Sequence, residues 1–173
     1  MDRQELACEI YQVSHITGTF KLRSGQISNQ YFDKYLFEAR PDLLKEIADH
    51  MTKLVPSGTE VLAGLELGGV PIASALSLST GLPAAYVRKK AKDYGTCKLA
   101  EGAGIKGKNV CIIEDVVTTG GQIILSAHDL RQLGAKTENV ICVILRGKDS
   151  RELLAKEGLK LIPLFTMEEL EPK

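Results

Sequence analysis

The sequence carries no net charge: 22 lysines and arginines balance 22 aspartates and glutamates over 173 residues. A chain-wide field therefore argues neither for nor against a nucleic-acid partner, and local charge becomes the better guide. No stretch approaches the roughly 18 apolar residues that a membrane helix needs. The opening residues, Met1-Asp2-Arg3-Gln4-Glu5, are charged and lack the apolar segment of a secretory signal. Together these absences predict a cytoplasmic protein with neither nucleic acid nor membrane as a partner. Cysteine is scarce, and Cys8, Cys97, Cys111 and Cys142 show no C-x-x-C spacing, which disfavours zinc. Cys111 and Cys142 lie in apolar strands, where a thiol behaves as a small hydrophobe. Cys97 has no neighbouring base to make it a nucleophile. His15, His50 and His128 form no metal-ligand pattern and read as structural. There is no internal repeat and no linker, so residues 1–173 are expected to form one domain.

The apolar pattern gives the architecture. Leu6, Ala7, Ile10 and Tyr11 recur at helical spacing between Asp2 and Ser14. Phe20 to Phe37 holds short alternating pieces broken at Ser24-Gly25, which predicts two short strands outside the main core. Pro41 opens a helix at the favoured first-turn position, with Leu43, Leu44, Ile47, Ala48, Met51 and Leu54 on its buried face. Strands and helices then alternate. Strands are predicted at 60–64, 84–88, 109–114, 139–146 and 159–165, and helices at 70–80, 121–133 and 150–156. Near-continuous apolar strands between amphipathic helices indicate a parallel sheet covered on both faces. Ligands of such sheets lie beyond the carboxyl ends of the strands. Residues 66–69, 88–92, 114–121 and 146 all fall there. Lys89 to Lys108 has little apolar periodicity, and a loop that long in a compact domain is usually functional or disordered.

The most informative run is Val110-Cys-Ile-Ile-Glu-Asp-Val-Val-Thr-Thr-Gly-Gly121. An apolar strand ends in two carboxylates, and a hydroxyl- and glycine-rich turn leads into a helix. Main-chain N–H groups at Thr118, Thr119, Gly120 and Gly121, beside a helix N-terminus, make a cradle for phosphate. Glu114 and Asp115 stand where acceptors can hold the two hydroxyls of a ribose. Successive strand residues point to opposite faces, so these acids converge only if the chain bends there. The bland alternative is a buried strand followed by an ordinary helix cap.

This run resembles the 5-phosphoribosyl 1-diphosphate (PRPP) signature of the type I phosphoribosyltransferases. Arg88-Lys-Lys-Ala-Lys-Asp-Tyr-Gly95 is similar to the catalytic loop of the orotate phosphoribosyltransferases, R-K-x-x-K-D-H-G. Arg88, Lys89, Lys92 and Asp93 match it, whereas Tyr94 replaces the usual histidine. Tyrosine still donates a hydrogen bond, but with a reference pKa of about 10 it does not supply an imidazolium's charge. Phe20-Lys-Leu-Arg-Ser-Gly-Gln-Ile-Ser-Asn-Gln-Tyr-Phe32 resembles the same family's base-binding segment, with Arg23 in place of a frequent lysine. Gly64-Leu-Glu-Leu-Gly-Gly69 corresponds to its pyrophosphate loop, with Gly68 where some members have lysine. Arg146 matches its orotate-carboxylate arginine, preceded by Leu145 where aspartate is usual. Alone, Tyr31 and Phe32 would read as core aromatics, the glycine pair as a tight turn and Arg146 as a solvated strand end.

The resemblance spans Phe20 to Arg146. It implies the type I phosphoribosyltransferase fold: α/β, a central parallel five-stranded sheet flanked by helices, with a small N-terminal hood. Residues 1–40 would form the helix and hood, and residues 41–173 the PRPP-binding core. The implied reaction joins orotate to PRPP, giving orotidine 5′-monophosphate and pyrophosphate in pyrimidine synthesis. Arg88, Lys89, Lys92 and Asp93 would be catalytic. Glu114, Asp115, Val116, Val117, Thr118, Thr119, Gly120 and Gly121 would bind PRPP, with Gly68 and Gly69 on its pyrophosphate. Arg23, Tyr31, Phe32, Thr118 and Arg146 would bind orotate. Mg²⁺ is implied, held mainly by PRPP and water without direct protein ligands. So is a homodimer whose basic loop reaches into the partner's site. Two alternatives stay open: a phosphoribosyltransferase for another base, and a PRPP-sensing regulator without catalysis. The length leaves no room for a fused decarboxylase domain. Lys92→Ala is expected to cut turnover far more than PRPP affinity, which steady-state kinetics beside equilibrium binding would check; unchanged turnover removes Lys92 from the chemistry.

Overall fold

A computed structural model describes residues 1–22, 24–91, 95 and 98–171. Helix α1 (Arg3–Ser14) begins at Asp2, whose Oδ1 accepts from the Gln4 and Glu5 N–H groups while Glu5 reaches back to the Asp2 N–H. This reciprocal cap satisfies donors the helix itself leaves open. Strands β1 (His15–Lys21) and β2 (Ile27–Phe32) pair antiparallel as a separate hairpin. The first strand thus starts earlier than expected. The second stops at Phe32, because Asp33 caps a short helix, α2 (Lys34–Glu38), by accepting from the Tyr35 N–H at 3.1 Å. That helix had been assigned to a strand: five residues are too few to display a helical period. Helix α3 (Pro41–Met51) follows with proline at its start.

The remaining strands are β3 (Val61–Leu65), β4 (Ala84–Val87), β5 (Ala100–Gly102), β6 (Asn109–Val117), β7 (Lys136–Leu145) and β8 (Lys160–Thr166). They form one sheet in the order β5-β4-β3-β6-β7-β8. The five expected strands are parallel, and β5 adds a sixth, antiparallel, at the edge beside β4. It arises from the long segment without apolar periodicity, where three residues carry no pattern to detect. Main-chain bonds hold it: Arg88 N–H donates to Leu99 O at 2.9 Å and Ala103 N–H to Ala84 O at 3.0 Å.

Helix α4 (Gly69–Thr80) joins β3 to β4, α5 (Gly121–Gln132) joins β6 to β7, and α6 (Ser150–Lys156) joins β7 to β8; a short α7 (Met167–Leu170) follows. Each face of the sheet is covered by its own core. One packs Leu6, Ile10, Phe37, Leu43, Ile47 and Ile72 against Ile113 and Phe165. The other packs Ile123, Leu130 and Leu154 against Ile112 and Val140. Phe37 is fully buried and anchors α2 to the first core. Phe37→Ala is expected to destabilise the fold by about 3–5 kcal/mol through the cavity left behind, measurable as a lowered urea midpoint.

Candidate active site

β6 lies in the middle of the sheet between β3 and β7; it outruns β3 after Ile113, and its last residues pair with β7, which leaves a crevice at its end. The strand runs past the two acids to Val117, three residues further than expected, and it does not break at them. Glu114 and Asp115 nevertheless line one cavity of about 320 Å³. Val116, Val117, Thr118, Thr119 and Gly120 line it too, with Lys34, Glu66, Leu67 and Lys89 across from them. Gly120 adopts φ 79°, a left-handed turn that only glycine takes without strain, and α5 starts immediately after it. No side chain caps α5. Its first N–H groups and the helix dipole therefore remain available to an anion.

The acids sit in different environments. Asp115 is fully buried, and its Oδ2 lies 2.5 Å from the Lys34 ammonium. Burial penalises the Asp115 charge, but Lys34 outweighs that cost and holds the carboxyl below the ordinary range. Burial, followed by the charge of Asp115, pushes Glu114 up to about 8. Burial likewise opposes the charge of Lys34, yet the hydrogen bond and field of Asp115 prevail and raise its pKa. Lys34 was missed at the sequence level. It lies on the short helix α2, and nothing local marks it as different from a solvated lysine.

The other expected residues divide into groups. Lys89 lines the cavity, and its N–H donates to Glu66 Oε1 at 2.5 Å, tying the basic loop to the turn after β3. Arg88 faces the other way, with its Nε 4.0 Å from Glu101 Oε1 on β5. Gly68 and Gly69 do not line the cavity; they press against Asp115 and the Ile113 carbonyl of β6. Arg23, Lys92, Asp93 and Tyr94 lie outside the described residues. A larger groove of about 880 Å³ runs between the lysine-rich segment and α5, and among the described residues Lys89 is the one expected site residue that touches it.

Tyr31, Phe32 and Arg146 meet in a second cavity of about 180 Å³. The hairpin brings the two aromatics, and the end of β7 brings the arginine. Tyr11, His15 and Gln30 join them; His15 stacks on Tyr11 with ring centroids 4.9 Å apart and bonds Gln30 through Nε2 at 2.9 Å. No spacing pattern marks His15 or Gln30 in the sequence. The two cavities are linked through the main chain, because Val117 O accepts from Arg146 N–H at 2.8 Å and from Gly147 N–H at 3.2 Å. Gly147 matters for the same reason: a Cβ there would lie 1.5 Å from the Thr118 carbonyl. Gly147→Ala is therefore expected to displace the cradle and weaken PRPP binding about tenfold or more, from loss of one or two charge-assisted hydrogen bonds. Titration calorimetry would measure it, with circular dichroism confirming the fold.

Residues 36–167 match the family model described as the phosphoribosyl transferase domain. A protein named orotate phosphoribosyltransferase from a Nocardioides species is 53% identical over 166 residues, 96% of this chain and 93% of the relative. One of the same name from Methanocella arvoryzae is 44% identical, covering 88% of this chain and 87% of its own. Among solved structures, the orotate phosphoribosyltransferase of Mycobacterium tuberculosis in complex with Fe(III) dicitrate superposes with a TM-score of 0.90 at 29% identity, covering 99% of this chain and 100% of that one. Its complex with PRPP gives 0.84 at 27% identity, covering 98% and 99%. A carboxylate-and-amide cradle on β6 and an aromatic–arginine cavity beside it agree with that kinship, and the chain belongs to the phosphoribosyltransferase family, among the orotate phosphoribosyltransferases.

Proposed function

We propose that this chain transfers the phosphoribosyl group of PRPP to orotate, releasing pyrophosphate, as a cytoplasmic enzyme of pyrimidine synthesis. The observation that carries the proposal is the pairing of two cavities through one strand end. The polyanion-binding cradle at 114–120 and the aromatic–arginine cavity share the Val117 carbonyl as their hinge point. The relatives named orotate phosphoribosyltransferase support it across nearly the full chain.

In this reaction the bond from the ribose anomeric carbon to a pyrophosphate oxygen breaks, and a bond to a ring nitrogen of orotate forms. Bond breaking leads, so positive charge grows on the ribose and negative charge on the departing pyrophosphate. Preorganised donors stabilise such charge best where water is excluded. The amides of 118–121 at the start of α5 hold the 5′-phosphate. Glu114 and Asp115 take the ribose hydroxyls. Gly68 and Gly69, at the uncapped start of α4, offer amides to the pyrophosphate. Lys89 and Lys92 meet the departing charge, and Asp93 positions the loop. Tyr31, Phe32 and Arg23 enclose the pyrimidine, and Thr118 and Arg146 orient it, Arg146 through its carboxylate.

Among the described residues, the lining of the first cavity offers carboxylate, hydroxyl and carbonyl oxygens and no thiol or imidazole, the donor chemistry that suits a hard cation. Mg²⁺ would fit there, held mainly by PRPP and water, with Glu66 and Thr118 offering oxygens at the cavity wall. When bound it neutralises pyrophosphate charge. Arg88 points away from its own cavity toward Glu101 at the sheet edge, which supports its use by a second copy of the chain in a homodimer.

Incubating the protein with PRPP, Mg²⁺ and either orotate, uracil, hypoxanthine or adenine, and following pyrophosphate, tests the proposal. Release with orotate alone is the expected outcome. Release with another base reassigns the substrate, and release with none, despite PRPP binding, makes the protein a sensor.

A further inference from the structure

Glu38 plays no part in the chemistry described so far. It closes the short helix α2, only 8% exposed, with its side chain turned toward Asp115. Carboxylates avoid such places unless their oxygens are satisfied. Here Glu38 Oε1 and Asp115 Oδ2 are both buried, and neither accepts a well-aligned hydrogen bond, although the Lys34 ammonium stands close to Asp115. Both oxygens crowd the same point: a Cβ on Gly68 would lie 1.5 Å from Asp115 Oδ2 and 2.9 Å from Glu38 Oε1. Two acceptors facing each other in a dry site repel. One proton between them converts the pair into donor and acceptor.

We propose that Glu38 is a positioning residue that shares one proton with Asp115 and, together with Lys34, fixes the Asp115 carboxylate beneath the ribose. This rests on the assignment of Asp115 to the ribose hydroxyls. The proton resides on Glu38, since burial and then the hydrogen bond to Asp115 push its pKa up to about 9, while Asp115 is held low by Lys34. Asp115 is then gripped from three sides: α2 through Lys34 and Glu38, its own strand through the Val116 N–H on Oδ1, and the turn before α4 through Gly68. Because α2 follows directly on Tyr31 and Phe32, one short helix couples the base cavity to the ribose acid.

The sign of the pH effect follows. The shared proton is present below the folded pKa of about 9 and is lost as pH rises through it. Ionisable groups facing Glu38 are Asp115 and Glu114 from β6 and Lys34 from its own helix; the buried residues of α1 and α3 are apolar apart from Ser14, whose hydroxyl does not titrate in this range. Lys34 keeps its charge across this window because its pKa is raised. Glu114, near 8, adds its own alkaline titration, so the wild-type limb is read against Glu38→Gln, which keeps Glu114 and lacks the Glu38 proton.

Glu38→Gln keeps an N–H donor toward Asp115, and Glu38→Leu removes it. Two measurements on the full-length protein test the proposal. Infrared difference spectra at neutral pH should show a protonated-carboxyl C=O band of wild type that Glu38→Gln loses, over the Glu114 contribution that both retain. Calorimetry with PRPP and Mg²⁺ should give equal affinity for wild type and Glu38→Gln, and about tenfold weaker binding for Glu38→Leu, the loss expected when a buried acceptor is left unpaired. Above about pH 9 the wild type should weaken relative to Glu38→Gln. An unchanged carboxyl band in Glu38→Gln overturns the proton pair, as does a Glu38→Gln protein as weak as Glu38→Leu. If the band disappears and all three bind PRPP equally, the proton pair stands and the ribose role of Asp115 fails. Should Glu38→Leu not fold, the band and the alkaline limb of Glu38→Gln decide alone.

Discussion

Two adjacent carboxylates at the end of a central, buried strand are an electrostatic problem that the surrounding structure is arranged to solve. In a poorly solvated site neighbouring acids do not both ionise without a compensating cation or proton. Lys34 answers for Asp115, and burial leaves Glu114 with a raised pKa. The demands then propagate outward. Lys34 must come from a helix docked against β6, so α2 needs its Asp33 cap and its Phe37 anchor. The turn after β3 must pass over Asp115 with no side chain in the way, so it carries Gly68.

The same strand end separates two kinds of recognition. Backbone amides and a helix dipole offer partial positive charge to phosphate without bringing in a mobile side chain. In the proposed reaction, carboxylates serve neutral hydroxyls a few residues upstream. An anion and two acids thus share one short run because the chain reverses character between them, from acceptors at 114–115 to donors at 118–121. The uncapped starts of α4 and α5 repeat this device at the ends of two adjacent strands.

The described ends of the lysine-rich segment are tethered on both sides. Before the lysine-rich segment, Lys89 N–H is bound to Glu66; beyond it, Leu99 pairs with Arg88 and β5 lies along β4. Anchors of this kind shorten the stretch of chain whose ends must be brought together. Lys89 sits at the tether itself and lines the cavity.

Much of this was legible from residue order alone. Parallel strands announce themselves as apolar runs, and their carboxyl ends must host the site, so Glu114 to Gly120, Lys89, Tyr31, Phe32 and Arg146 could all be marked in advance. They were marked because each belongs to a local pattern: a strand followed by a glycine turn, a cationic run, an aromatic pair. Lys34, Glu38, Glu66, Gly147 and His15 belong to none. Their importance comes from what they touch across the chain, and the short elements α2 and β5 are likewise held by partners and not by their own periodicity. Which way Arg88 turns is decided by an edge strand that the sequence pattern does not reveal. Residue order by itself determined the layered α/β architecture and marked the strand-end run proposed to bind a phosphorylated sugar, because hydrophobic period and glycine chemistry act over a few neighbouring residues. Only the tertiary structure decided which acid is charged, what holds it, and how the two cavities are joined, because those outcomes depend on distances between groups far apart along the chain.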